Sequence, residues 1–123
     1  MNTKTLYERL GGYDAIAAVT SDLLPRLRND PQLGRFWQHR GEDSLQRSKQ
    51  LLIEFLCSNA GGSAYYTGRD MKTSHKGMGI SESDWSIFMG HIHATLEAFQ
   101  VPPTERDEVV ALMQSTKKDM VEA

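Results

Sequence analysis

Residues 71–80 read "MKTSHKGMGI" and separate two longer segments whose apolar residues recur at helical spacing. The upstream segment, residues 44–59, presents one inward stripe: Leu45, Ser48, Leu52, Phe55 and Leu56. The downstream segment, residues 84–99, presents a second stripe: Trp85, Phe88, Met89, Ile92, Leu96 and Phe99. A spacing of three and four residues is typical of amphipathic helices, and no stretch alternates with the two-residue period of a strand. The sequence therefore predicts an all-α fold with an irregular segment between two long helices.

Glycines and prolines mark the ends of further helices on either side. The stretch "TKTLYERLGG" predicts a short first helix, and a second helix is expected from Tyr13 to about Arg28, with a kink at Pro25. The stretch "PQLGRFW" opens a helical turn, and a last helix follows a Pro-Pro pair, with its inward stripe ending at Met120. No repeat, linker or low-complexity tract interrupts this pattern, so we expect one domain spanning residues 1–123.

Three of these helices carry capping signals that predict where each helix begins. Ser81 followed by Asp84 has the pattern of a capping box for the helix of the downstream stripe. Asp43 or Ser44 is expected to cap the helix of the upstream stripe, and Thr104 to cap the last helix.

The bulk composition limits the classes of function. The chain has 123 residues and a formal net charge of -2, so no basic field points to nucleic acid or to an anionic membrane surface. No apolar run approaches the roughly 20 residues that span a bilayer, and the first residues lack a secretory signal. Cys57 is the only cysteine, which excludes an internal disulfide and a c-type haem attachment motif. We therefore expect a cytoplasmic protein without a nucleic-acid or membrane partner.

His75 is the strongest candidate for a metal ligand. Met71 lies four residues before it on the same helical face, and Gly77 and Gly79 allow close backbone approach directly after it. Ile80 returns apolar surface to the same neighbourhood. A neutral imidazole above an apolar floor suits the iron of a hydrophobic cofactor, whereas an exposed histidine on a helical turn is the simpler alternative. The remaining histidines and the cysteine lack the close spacing of a structural zinc site.

Three motifs taken together resemble the truncated haemoglobins of group I. They are "LYERLGGYDAI" at residues 6–16, "YYTGRDMK" at 65–72 and "HKGMGI" at 75–80. The resemblance covers nearly the whole chain. It implies a two-over-two helical sandwich around non-covalent haem b, with His75 as the proximal ligand of the iron.

The resemblance also implies a set of residues around the haem. Porphyrin contacts are expected from eight residues: Phe36, Trp37, Ser48, Leu52, Tyr66, Met71, Ile80 and Trp85. Tyr66 corresponds to a tyrosine near a propionate, and Met71, Ile80 and Trp85 to the proximal side. Three basic residues are candidate propionate partners: Arg47, Lys72 and Lys76.

The gas-binding side, opposite the proximal histidine, departs from the family pattern. Leu24 occupies the position where group I members commonly have a tyrosine whose hydroxyl donates to dioxygen. Ser48 and Leu52 occupy the inward positions of the next long helix. The serine hydroxyl is short and reaches a ligand best through water, so we expect weaker retention of dioxygen than in tyrosine-bearing relatives. The alternative is an internal sixth ligand from Lys49 or His39.

Three functions stay open at this point. The first is binding of dioxygen, nitric oxide and carbon monoxide, for oxygen transport or for nitric oxide dioxygenation with an external reductase. The second is gas sensing or electron transfer by an internally six-coordinate haem. The third is a haem-free helical interaction domain, in which His75 is merely exposed.

Overall fold

The computed structural model describes residues 4–38, 41–62 and 77–121. Its helices are α1 (Leu6–Leu10), α2 (Gly12–Arg28), a 3₁₀ helix (Leu33–Trp37), α3 (Glu42–Asn59), α4 (Glu82–Ala98), α5 (Pro103–Gln114) and α6 (Lys117–Met120). These residues contain no strand, so the all-α prediction is confirmed. None of these helices combines the length and the hydropathy needed for a bilayer crossing.

The helix starts follow the predicted capping only in part. The box between Ser81 and Asp84 is formed in both directions and begins α4. The predicted cap of α3 is wrong, because that helix begins at Glu42 after Gly41, with no side-chain cap. Asp43 lies within the first turn instead, where its negative charge interacts favourably with the helix dipole.

The last predicted helix also differs from the observed one. α5 begins at Pro103, one residue before the predicted cap Thr104, because the fixed φ of proline suits a first helical turn. The helix then ends at Gln114 and resumes as α6. At this break the hydroxyl of Thr116 donates to the carbonyl of Met113 at 2.7 Å, a local bond of the kind that competes with the helical ladder.

The apolar core has two parts, because α2 packs against both α3 and α4. The larger cluster joins α2, the 3₁₀ helix, α4 and α5, and its buried members are Leu23, Leu24, Leu27, Leu33, Trp85, Met89, Ile92, Leu96, Val101 and Met113. The smaller cluster joins α2 to α3 through Ile16, Ile53 and Cys57, and Tyr7 of α1 packs against it. α2 continues through Pro25 to Arg28, so one uninterrupted helix supports both clusters.

An ion pair joins the first helix to the fifth. The guanidinium of Arg9 on α1 donates to Glu108 Oε1 at 2.8 Å and to Glu105 Oε1 at 3.1 Å, both on α5. The hydrogen bond from Arg9 lowers the pKa of Glu108, and the pKa of Arg9 is raised in return. Ion pairs therefore help to hold these two helices together.

Candidate functional site

A large cavity lies between α2, the 3₁₀ helix, α3, α4 and the α5–α6 region. Its volume is about 360 Å³, within the range of small-molecule and cofactor sites. The lining is mainly aliphatic, aromatic and thioether side chains: Leu24, Leu27, Leu33, Phe36, Trp37, Ser48, Leu51, Leu52, Phe55, Met78, Ile80, Asp84, Trp85, Phe88, Met113, Thr116 and Met120. We call it the main cavity.

The polar groups of this wall are few, and most are held by protein partners. Thr116 donates to the carbonyl of Met113, and the indole Nε1 of Trp85 donates to Gln114 Oε1 at 3.2 Å. Asp84 is 1% exposed and accepts several hydrogen bonds. Ser48 is the polar side chain that α3 contributes. The main cavity therefore offers a bound molecule mostly apolar contacts.

Asp84 anchors the 3₁₀ helix to the start of α4. Arg35 donates to both carboxylate oxygens, at 3.0 Å from Nη1 and 2.7 Å from Nη2, and Gln32 donates to Oδ1 at 2.6 Å. The hydrogen bond from Arg35 holds the pKa of Asp84 well below its usual range, against the opposing effect of burial. Since the Arg35 guanidinium also lies 4.2 Å from the ring centroid of Phe36, this network fixes the aromatic wall formed by Phe36 and Trp37.

Replacing Asp84 with asparagine is expected to lower the free energy of unfolding at neutral pH by on the order of 1–3 kcal/mol, because charged hydrogen bonds are replaced by neutral ones. The folded-state pKa of Asp84 is depressed below the unfolded value of about 3.9, so the carboxylate stabilises the fold above that pH. This stabilisation is lost as the pH falls through the folded-state pKa. Denaturant unfolding at several pH values measures both quantities.

The matched control for this variant is Asp107→Asn, which changes an exposed carboxylate on α5. We expect the free energies of unfolding of Asp84→Asn and of the unmodified chain to become more similar on acidification. Asp107→Asn should have little effect on the free energy of unfolding at any pH. If the difference in free energy of unfolding between Asp84→Asn and the unmodified chain stayed constant from neutral to strongly acidic pH, the negative charge of Asp84 would not be what stabilises the fold.

Comparison with known proteins identifies the family. The sequence model of the bacterial-like globins matches residues 5–122. A group 1 truncated haemoglobin from Mycolicibacterium paratuberculosis is 31% identical over 106 residues, which cover 86% of this chain and 76% of that protein. Another group 1 truncated haemoglobin, from Tetrahymena pyriformis, is 28% identical over 118 residues, which cover 96% of this chain and 95% of that protein. This chain belongs to the group 1 truncated haemoglobins.

Solved structures agree with this assignment. The Fe(III) form of the truncated haemoglobin from Tetrahymena pyriformis superposes with a TM-score of 0.88 at 25% identity, covering 98% of this chain and all of that one. A group II truncated haemoglobin from Bacillus anthracis has a TM-score of 0.86 at 19% identity, covering 100% of this chain and 95% of that one, which shows the shared fold. The predicted two-over-two fold is confirmed.

Non-covalent haem b is the usual cofactor of the truncated haemoglobins, and the main cavity fits that group. Phe36 and Trp37 from the 3₁₀ helix, and Trp85 and Phe88 from α4, supply flat apolar surfaces for a porphyrin. Because the buried carboxylate of Asp84 is neutralised by Arg35, it places no unpaired charge against the ring. The chemistry of the lining therefore agrees with the cofactor of the family.

Seven of the residues that the sequence predicted around the haem lie together in the wall of the main cavity: Leu24, Phe36, Trp37, Ser48, Leu52, Ile80 and Trp85. Two others lie elsewhere on α3. Arg47 is exposed and outside the lining, and Lys49 lines a second, smaller cavity. The remaining predicted residues are outside the described ranges: His39, Tyr66, Met71, Lys72, His75 and Lys76.

Sequence reasoning missed several residues of the wall of this truncated haemoglobin. On α3, Leu51 lies three residues after Ser48, so the helical period alone assigns it to the same face. Phe55 was already on the inward stripe predicted for this helix. Phe88 was already on the inward stripe of α4. Met120 was already the last residue of the inward stripe predicted for the C-terminal helix. Leu33 had no comparable signal, since it lies in a short 3₁₀ helix.

Proposed function

We propose that this globin binds dioxygen, nitric oxide and carbon monoxide at the iron of haem b, with His75 as the proximal ligand. Haem iron, when bound, would supply the coordination chemistry that holds a diatomic gas. The support for His75 is its position in the sequence: Met78 and Ile80, three and five residues later, both line the main cavity. Met71, Lys72, Lys76 and Tyr66 keep the proximal and propionate roles that the family resemblance implies, and Arg47 is proposed as a propionate partner on the same ground.

The observation that carries the functional proposal is the composition of the gas-binding wall. The described lining has no tyrosine, glutamine or histidine, and α2 and α3 offer Leu24, Ser48 and Leu52 at the positions that face the ligand in relatives. A hydrogen bond to a charge-bearing acceptor contributes about 1.5–3 kcal/mol, and this wall supplies only a short hydroxyl toward it. We therefore infer that dioxygen is released quickly, which does not suit its long-term storage.

Nitric oxide dioxygenation is the reaction that fits such a site. One dioxygen, one nitric oxide and one electron give one nitrate, and haem iron, when bound, would supply that electron. An external reductase would have to supply one electron for each turnover. The role of this chain is to hold the haem in an apolar cavity and to admit both gases. We further propose that residues 1–123 form a single globin domain that works in the cytoplasm, where reducing cofactors supply the reductase.

The test is consumption of nitric oxide by the purified haem-loaded protein with a flavin reductase and dioxygen. We expect repeated turnover and nitrate as the product, in a one-to-one ratio to the nitric oxide consumed. Protein in which carbon monoxide occupies the ferrous haem is the control and should be inactive. A single stoichiometric reaction without turnover, despite rapid reduction of the iron, would instead favour a sensor or electron-transfer role.

A further inference from the structure

A second cavity of about 90 Å³ lies beside the main cavity, between α2, the 3₁₀ helix and the first half of α3. Its wall is Ser21, Leu24, Pro25, Arg28, Trp37, Leu45, Gln46 and Lys49. Leu24 and Trp37 line both cavities, so the two spaces are neighbours that share these two side chains. The volume exceeds the roughly 10–15 Å³ that one water requires, and it accommodates a three-atom ion. We call it the side cavity.

The polar part of this wall is basic. Arg28 comes from α2 and Lys49 from α3, and neither side chain forms an ion pair with a carboxylate of the described residues. Elsewhere in the wall, the amide of Gln46 donates to Glu42 Oε1 at 3.0 Å, which places one negative charge next to Gln46. A chain with a formal net charge of -2 thus places two cationic side chains, neither paired with a carboxylate of the described ranges, at one small cavity.

We propose that the side cavity is an access site for small inorganic anions, of the class of nitrite and azide, which pass between Leu24 and Trp37 to the gas-binding side of the haem. Arg28 and Lys49 attract the ion, while Ser21 and Gln46 supply polar contacts that replace part of its hydration shell. This inference rests on haem occupying the main cavity. It gives Lys49 an electrostatic role, in keeping with its place in the side cavity and outside the lining of the main one.

The physical argument concerns association rates. Clefts lined by charge of one sign raise the local concentration of opposite ions, and this effect falls steeply as ionic strength rises. Uncharged dioxygen, nitric oxide and carbon monoxide do not respond to that field. Removing the positive charges should therefore slow anions selectively, whereas a purely steric gate would slow anions and gases alike.

The experiment follows azide binding to the ferric haem-loaded protein and carbon monoxide binding to the ferrous protein by stopped-flow absorption. The variants are Arg28→Gln with Lys49→Gln, and separately Glu42→Gln, which removes the negative charge next to Gln46. Lys118→Gln is the matched control, since Lys118 is exposed on α6 and lines neither cavity. Each rate is measured at about 0.01 M and about 0.2 M salt.

We expect azide association at low salt to slow by roughly 3–10-fold in the double variant, with loss of most of its salt dependence. Glu42→Gln should accelerate it, Lys118→Gln should leave it unchanged, and carbon monoxide association should change by less than about twofold throughout. Unchanged azide rates in the double variant and in Glu42→Gln, or equal slowing of azide and carbon monoxide, would overturn the proposal. Failure of the unmodified haem-loaded protein to bind carbon monoxide would instead disprove the proposed gas-binding function.

Discussion

Replacing His75 with alanine is expected to remove the axial nitrogen from the haem iron and to weaken haem binding at least roughly 100-fold. The magnitude follows from metal sites in which loss of a residue that only orients a ligand already costs about 10–100-fold in affinity. Some binding should survive, because the apolar wall of the main cavity, with Phe36, Trp37 and Trp85, still removes porphyrin surface from water. Titration with haemin, followed by absorption, measures the affinity.

The control for this prediction is His93→Ala, which removes an exposed imidazole from α4 that does not line the main cavity. That variant should bind haem with an unchanged spectrum. Added free imidazole should restore the axial signature to His75→Ala, because the missing group is only a nitrogen ligand. If His75→Ala keeps the same ferric and ferrous spectra without imidazole, another residue holds the iron and the proximal assignment is wrong.

Replacing Leu24 with tyrosine is expected to slow dioxygen dissociation by roughly 10–100-fold relative to Leu24→Phe. The leucine is 8% exposed and lines the main cavity, so a ring at this position extends into the same space. A phenolic hydroxyl there donates to the ligand, and a hydrogen bond to a charge-bearing acceptor contributes about 1.5–3 kcal/mol. Rapid mixing of the ferrous dioxygen complex with a trapping gas gives the dissociation rate.

The pair of aromatic variants separates the hydroxyl from its bulk. Both rings reduce the volume near Trp37 to the same extent, so their difference reports the donor alone. Ser48→Ala tests the hydroxyl that is already present, and we expect a change of less than about tenfold, as for one neutral hydrogen bond. Equal rates for the tyrosine and phenylalanine variants, or slow dissociation from the unmodified protein, would contradict the proposed weak retention.

The features that sequence predicted well are those encoded by neighbouring residues. The box between Ser81 and Asp84 and the inward positions Ser48 and Leu52 depend on spacings of three or four residues, which a helix converts directly into contacts or a shared face. The weak signal of a single histidine became a haem hypothesis only through resemblance to a family over the whole chain. His75 itself stays a prediction, since it lies outside the described residues.

The features that sequence could not predict depend on distant partners. Asp84 was identified as a local cap, yet Arg35 and Gln32, 49 and 52 residues earlier, are the partners that make it an anchor for the 3₁₀ helix. The position of Lys49 is a similar case. Lys49 directly follows Ser48 on α3, so the helical rotation of one residue directs its side chain away from the main cavity. The space that Lys49 lines exists only because α2 packs on α3.

The ion pair between α1 and α5 has a consequence for the order in which the chain folds during synthesis. Arg9 and its two carboxylate partners are 96 and 99 residues apart. A ribosome that adds about 5–20 residues per second needs roughly 5–20 s between making the guanidinium and making Glu105 and Glu108. Throughout that interval Arg9 has neither carboxylate to bind, so this link between the first helix and the fifth can close only after α2, α3 and α4 have been synthesised.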